Sequence, residues 1–459
     1  MSAGGTSAAG TSTAGPRGAG TGTDPYVPGH GEASFAVDHY EITLAYKVAG
    51  NRLDAEATLR CRALADAPAI RLDLHGLRAQ KVFVDGRARP SRHQHGKLVV
   101  SRAIRAGEEF EVRVRYDGRP RPVPSRVLGT AGWEELADGA IVAAQPHGAP
   151  SWFPCNDRPD DKATYRLHVS APADYYVAVS GELVGTRRHG SSVTWTYEQP
   201  VPMATYLATV QIGRYEVVRE SPPPVPVRTI APPQRDRAAF DASFGRQAEM
   251  LAFFASCFGP YPFDSYTAVI TQDDLEIPLE SQGLSTFGQN FVSAEWDSVR
   301  LVAHELSHQW FGNAVTASSW RDIWLHEGFA CYAEWLWSEH SGGRSAAERA
   351  AQHHAKLSRL PQDLLLRDPG PALMFDDRIY KRGALTLHAL RCRVGDAMFF
   401  DILRTWVAEH APGSVTTQMF VEHAAARSGE DLGGLFAAWL DRLPLPALPG
   451  PHQAASARR

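Results

Sequence analysis

The chain has 459 residues, 44% of them hydrophobic and 21% charged, with a formal net charge of −4. That length supports two or three domains with their own cores, and the near-neutral balance gives no electrostatic case for nucleic acid or an anionic membrane as partner. No run approaches the ~18 apolar residues of a membrane span, and the 5 cysteines form no C-x-x-C pair, so they read as reduced thiols in or near the core.

In chain order, residues 1–30 are rich in Gly, Ala, Ser and Thr. Such a segment buries too little apolar surface to offset its ordering entropy and is expected to be disordered. It lacks an apolar h-region, so no secretory signal is expected; with the unpaired cysteines this points to the cytoplasm. Residues 31–218 read as an all-β domain. FEVRVRY at 110–116 alternates apolar and polar residues as a half-buried strand does, and VTWTY at 193–197 repeats this with β-branched and aromatic residues. Asp85-Gly86 and Asp117-Gly118 are turn signals at strand ends. Many short strands with such turns suggest an antiparallel sandwich.

The segment SPPPVPVRTIAPPQ at 221–234 breaks this rhythm, and the boundary is expected near residue 219. A helical stretch over 236–257 follows, with Phe240, Phe244, Leu251 and Phe254 at roughly helical spacing, stopped by Gly259-Pro260. A short apolar strand at 266–270 comes next, and from Val299 onward the chain reads as mostly helical. The second domain is therefore α+β and covers 219–447, with a flexible tail at 448–459.

The strongest chemical signal is His304-Glu305-Leu306-Ser307-His308, an H-E-x-x-H. Histidines at i and i+4 project from one helix face about a turn apart, so both imidazoles can reach one zinc ion. Glu305 falls beside the metal, placed to take a proton from water. The motif alone recurs by chance, so a third ligand is needed. Glu327 stands further along, in WRDIWLHEGFA at 320–330. A carboxylate on a neighbouring helix completes a His-His-Glu set and leaves the fourth position open, as a catalytic zinc site requires. Zinc is favoured by ligand type, one ion per chain. Asp322 could orient a ligand histidine, or serve as a helix-start charge. His93, His95, His353 and His354 lie in polar or charged stretches and are expected to be solvated.

The run HELSHQWFGNAVTASSWRDIWLHEGFA resembles the signature of the aminopeptidase N-like metallopeptidases, a gluzincin family. The match covers His304, Glu305, His308, Trp310, Gly312, Asn313, Val315, Thr316, Trp320, Asp322, Trp324, Leu325, Glu327, Gly328, Phe329 and Ala330, and departs at His326, where the family has Asn. The resemblance extends over roughly 36–445, as a short bacterial-type member; larger members carry a helical C-terminal domain for which this chain has little room. It implies a β-sandwich followed by a thermolysin-like catalytic domain, and a zinc aminopeptidase acting on peptides with a free N-terminus. Tyr380, in IYKRGA, matches the family tyrosine that hydrogen-bonds the tetrahedral intermediate, a sound role for a phenol donor. Glu280, in IPLESQGLSTF, keeps register with the family's amine-binding glutamate through Gly283 and Leu284; Glu276 is a rival carboxylate outside that register. Gln145, ahead of the F-P-C-x-D run, matches a further amine contact from the sandwich.

Two other readings stay open. Leukotriene epoxide hydrolases share this scaffold, although an amine anchor at Glu280 fits peptides better. A non-catalytic peptide-binding scaffold predicts lost ligands or a lost Glu305, and all are present.

Overall fold

The computed structural model describes residues 24–220 and 225–450. Its N-terminal half is built from β-sheets. An eight-stranded sheet runs in the order Glu182–His189, Ser192–Met203, Ala163–Pro172, Phe35–Lys47, Arg52–Ala63, Glu109–Gly118, Arg78–Val84, Arg87–Ala88. Along Glu109–Gly118 the residues Phe110, Val112, Val114 and Tyr116 point inward while Glu111 and Arg115 face solvent, so the alternation read from the sequence is the burial pattern. Asp85 and Gly86 both take positive φ, +50° and +72°, the geometry a two-residue hairpin needs. A five-stranded and a three-stranded sheet complete this half. Pairing is antiparallel except between Phe35–Lys47 and Ala163–Pro172, which run parallel.

The second half begins with a five-stranded mixed sheet in the order Glu216–Glu220, Val227–Ala231, Tyr266–Ile270, Leu284–Phe287, Leu279–Ser281. The expected boundary at 219 falls inside the first of these strands, and Val227–Ala231 is a strand where the proline-flanked segment reads as a break. Its partner Tyr266–Ile270 lies far along the chain and pairs in parallel, so no local signal marks it. The helices are α1 (Arg237–Ala242), α2 (Gln247–Phe258), α3 (Trp296–Ser307), α4 (Trp324–His340), α5 (Ala346–Leu357), α6 (Asp377–Val394), α7 (Asp396–His410), α8 (Thr417–Ser428) and α9 (Gly433–Leu440). The helical stretch over 236–257 is interrupted: Ser243 leaves helical geometry and splits it into α1 and α2.

Helix α4 is buried continuously from Trp324 to Ser338. It is the central helix, packed on all sides as a helix with no polar face must be. It crosses α6 where Gly328 meets Gly383: a Cβ on Gly328 would lie 2.8 Å from the Gly383 Cα. Only glycine permits this approach. Among the described residues no helix is long and apolar enough to cross a membrane.

Both ends of the chain differ from expectation where they are described. Residues 1–23 and 451–459 lie outside the described residues. Residues 24–30, expected within the disordered segment, are packed: Tyr26 and Val27 are buried. The Trp320 N–H donates to Asp24 Oδ2 at 2.7 Å and the Gly370 N–H to the Tyr26 hydroxyl at 2.8 Å. Tyr26 and Val27 are the first large apolar side chains after the Gly/Ala/Ser/Thr run, and they anchor residues 24–30. Leu448 packs against the core, so the expected tail is ordered at its start.

Candidate active site

Three elements bring the site together. Helix α3 ends at Ser307, with His304 in its last turn and His308 as C-cap. The edge strand Leu279–Ser281 is pinned to that helix end. The Gly283 N–H donates to Gln309 Oε1 at 2.8 Å, while the side-chain amides of Gln309 and Asn313 both donate to Ser281 O, at 3.1 and 3.0 Å. Helix α4 supplies Glu327 from its first turn.

The ligand atoms converge. One from each of His304, His308 and Glu327 lie within 4.8 Å of one another. Glu327 Oε2 is 3.3 Å from His304 Nε2 and 3.5 Å from His308 Nε2. Ligand atoms about 2.0–2.1 Å from a tetrahedral zinc are themselves about 3.3–3.4 Å apart. The other ring nitrogens face acceptors: His304 Nδ1 donates to Glu334 Oε1 at 2.8 Å and His308 Nδ1 to Phe311 O at 3.0 Å. Both Nε2 lone pairs are thereby aimed at the centre, the tautomer a metal ligand needs. The donor set fits zinc.

Charge points the same way. Glu280, Glu305 and Glu327 are all buried around His308. Burial lowers the His304 pKa, but hydrogen bonds to Glu327 and Glu334 more than offset this and raise it to about 8. Burial also lowers His308, yet the charges of Glu280 and Glu327 push it up to about 10. Burial raises Glu327, but the two histidines hold it far below the usual carboxylate range. Glu305 goes up to about 8 through burial, partly offset by the histidines. Three carboxylates buried around two imidazoles call for a cation, and protons occupy that role when no metal is bound.

The remaining predicted residues line the same cavity, of about 260 Å³. Glu280 is buried and its Oε1 accepts from Gln145 Nε2 at 2.6 Å, so strand edge and sandwich meet at one carboxylate. Glu276 is exposed, outside the cluster. Tyr380, from the first turn of α6, stacks on His304 with ring centroids 5.9 Å apart. Burial, with nearby Glu327 and Glu280, pushes its pKa well above the usual value, so it stays a hydrogen-bond donor.

Sequence reasoning missed Glu334. It lies two helical turns after Glu327, on the same face of α4, and its carboxylate meets His304, Arg300 at 3.3 Å, and the field of Lys381. Burial raises its pKa, but Lys381, His304 and Arg300 hold it down at about 2. The i, i+7 spacing was the available signal. Asp322, weighed for that role, instead accepts from Thr417 Oγ1 at 2.5 Å. His326 is fully buried, its Nε2 accepting from the Ala317 N–H at 2.7 Å, and burial drops its pKa to about 3. It is a neutral structural acceptor. His93 and His95 are exposed, but His353 stacks on Trp335 at 5.2 Å and His354 bonds Pro446 O at 2.8 Å, so the expectation of solvated rings fails for these two. A larger cavity, about 530 Å³, lies elsewhere beside His388, Arg391 and Cys392. There Asp396 is committed to Arg391, and among the described residues no donor set converges.

Residues 36–207 match the Peptidase M1 N-terminal domain and residues 242–439 the Peptidase family M1 domain. The chain is 25% identical to a probable aminopeptidase 1 of Sulfurisphaera tokodaii over 90% of its own length, and 25% identical to a leucyl aminopeptidase of Saccharolobus solfataricus over 92%. It spans about half the length of these relatives, 54% and 55%. An M1 zinc metallopeptidase of Deinococcus radiodurans, solved with a Tyr-Ser-Ala substrate, superposes with a TM-score of 0.85 at 32% identity, covering 93% of this chain and 99% of that one. A two-domain M1 zinc metallopeptidase bound to L-arginine superposes equally well. With the ligand set in place on this fold, the chain belongs to the peptidase M1 family of zinc metallopeptidases.

Proposed function

We propose that this chain is an aminopeptidase that hydrolyses the N-terminal bond of peptides. The observation that carries the reading is the buried Glu280 carboxylate, held by Gln145 beside the His304–His308–Glu327 cluster. A carboxylate buried beside the metal-ligating cluster favours an ammonium there. A chain that begins at that point presents its first carbonyl to the metal centre, and an internal segment cannot.

His304, His308 and Glu327 hold the metal, and Glu334 and the Phe311 carbonyl fix the two rings. Zinc, when bound, supplies a Lewis acid that acidifies water and polarises a carbonyl. Glu305 takes a proton from the attacking water on its carboxylate and returns it to the leaving amine nitrogen. Tyr380 donates a hydrogen bond to the developing oxyanion. Glu280 and Gln145 hold the α-ammonium and set the register. The partners are peptides with a free N-terminus. The 5 free cysteines, 4 of them buried, support a reducing compartment, the cytoplasm.

The test is hydrolysis of a panel of aminoacyl amides before and after chelation. Cleavage that is lost with chelator and restored by zinc supports the reading. Zinc-loaded protein that cleaves no member of the panel overturns it and moves weight to an epoxide substrate or to binding without catalysis.

A further inference from the structure

A second group of metal-ligating side chains lies away from the active site, where α7 ends against α8. Glu409 and His410 close α7, and His423 comes from the middle of α8. One ligand atom from each of the three lies within 4.8 Å of the others. The His423 side chain is largely buried, at 8% exposure, so its ring cannot swing into solvent. Its Nε2 sits 3.1 Å from Ile402 O, a carbonyl that can only accept, and 3.1 Å from Thr405 Oγ1. Nε2 therefore carries the hydrogen in the neutral ring, and the Nδ1 lone pair points outward.

That lone pair faces a carboxylate. His423 Nδ1 is 3.3 Å from Glu409 Oε2, the separation two donors keep across a tetrahedral zinc of about 2.0–2.1 Å bonds. The His410 ring stands beside them, its centroid 6.1 Å from that of His423 at 71°. The C-terminal end of α7, which favours positive charge, closes the group.

We propose that Glu409, His410 and His423 form a second, peripheral divalent-cation site that clips the end of α7 to α8. Two imidazoles and one carboxylate select a borderline ion such as Zn²⁺, Ni²⁺ or Cu²⁺ over Mg²⁺ or Ca²⁺. Water completes the shell at the exposed side. From α7 the chain passes directly into the strand Gly413–Val415, which pairs with Val315–Ala317 just beyond the His308 turn. The clip thus steadies an element that backs the active site without touching it.

The experiment is a zinc titration of metal-depleted full-length protein by calorimetry, with His410→Ala and Glu409→Gln in parallel. Wild type is expected to take up a tight equivalent and a second, weaker one. Each variant is expected to lose the second, weakening it 10-fold or more, while keeping the first and the wild-type thermal melting profile without metal. A second readout is Cu²⁺ bound to the zinc-loaded protein, whose electron paramagnetic spectrum is expected to show imidazole nitrogens in wild type and fewer in His410→Ala. Uptake of only one equivalent by wild type, or a second equivalent undiminished in both variants, overturns the proposal.

Discussion

Glu334 is the residue on which the geometry of the metal centre leans most. It is buried, it fixes the His304 tautomer, and it is itself held by Arg300 and Lys381. Outer-sphere carboxylates of this kind are worth about 10–100-fold in metal affinity. Glu334→Gln keeps the shape and loses the charge, so zinc affinity is expected to fall by about that factor in a chelator-competition assay. The same groups predict a pH dependence. In the metal-free site His304 keeps its proton up to about pH 8 and His308 up to about pH 10. Below those values zinc must displace protons to bind. Apparent affinity is therefore expected to rise with pH across the neutral range, by roughly 10–100-fold per unit for one to two protons released. Calorimetry in buffers of different ionisation enthalpy reads that proton count directly; a pH-independent affinity would contradict the electrostatics.

At the scale of elements, the site depends on two helices approaching more closely than side chains allow. Glu327 follows from the start of α4 and Tyr380 from the start of α6, and the Gly328–Gly383 contact sets their spacing. Gly328→Ala places a methyl against backbone, which cannot yield as a flexible side chain does. Overpacking of this kind costs about 1–3 kcal/mol. A lower denaturation midpoint is expected, with a fall in activity, because the helices that separate carry the ligand and the phenol. The sequence displays these glycines but not their meeting, since 55 positions separate them. The His304/His308 pair, by contrast, was legible because one helical turn is a local fact. Val227–Ala231 was not, because its pairing partner is remote and prolines flank it.

Across the whole molecule, contacts between the halves complete the surroundings of the cluster. Gln145 reaches Glu280 from the sandwich. Lys162, also from the sandwich, is a half-buried strut whose ammonium donates to Asn313 O and Ala314 O at 3.0 and 2.9 Å, in the turn that follows His308. The Tyr206 hydroxyl donates to Gly312 O at 3.2 Å. None of these three contacts could be read from periodicity or spacing. Gln145 was placed only by resemblance, and Lys162 and Tyr206 not at all, because contacts across an interface leave no local pattern. The two-part architecture was legible, because the switch from period-2 alternation to helical spacing is carried within each segment.

Recognition of the chain end is read by comparing zinc-loaded protein on an aminoacyl anilide and on its N-acetylated counterpart. Under the proposed function Glu280 with Gln145 holds the substrate ammonium, and acetylation removes that charge and adds bulk where it would sit. On acetylation kcat/KM is expected to fall by about 10²-fold or more, the scale of an unpaired buried charge of about 3 kcal/mol. Equal cleavage of the two substrates would contradict it, leaving a metallopeptidase that does not recognise chain ends.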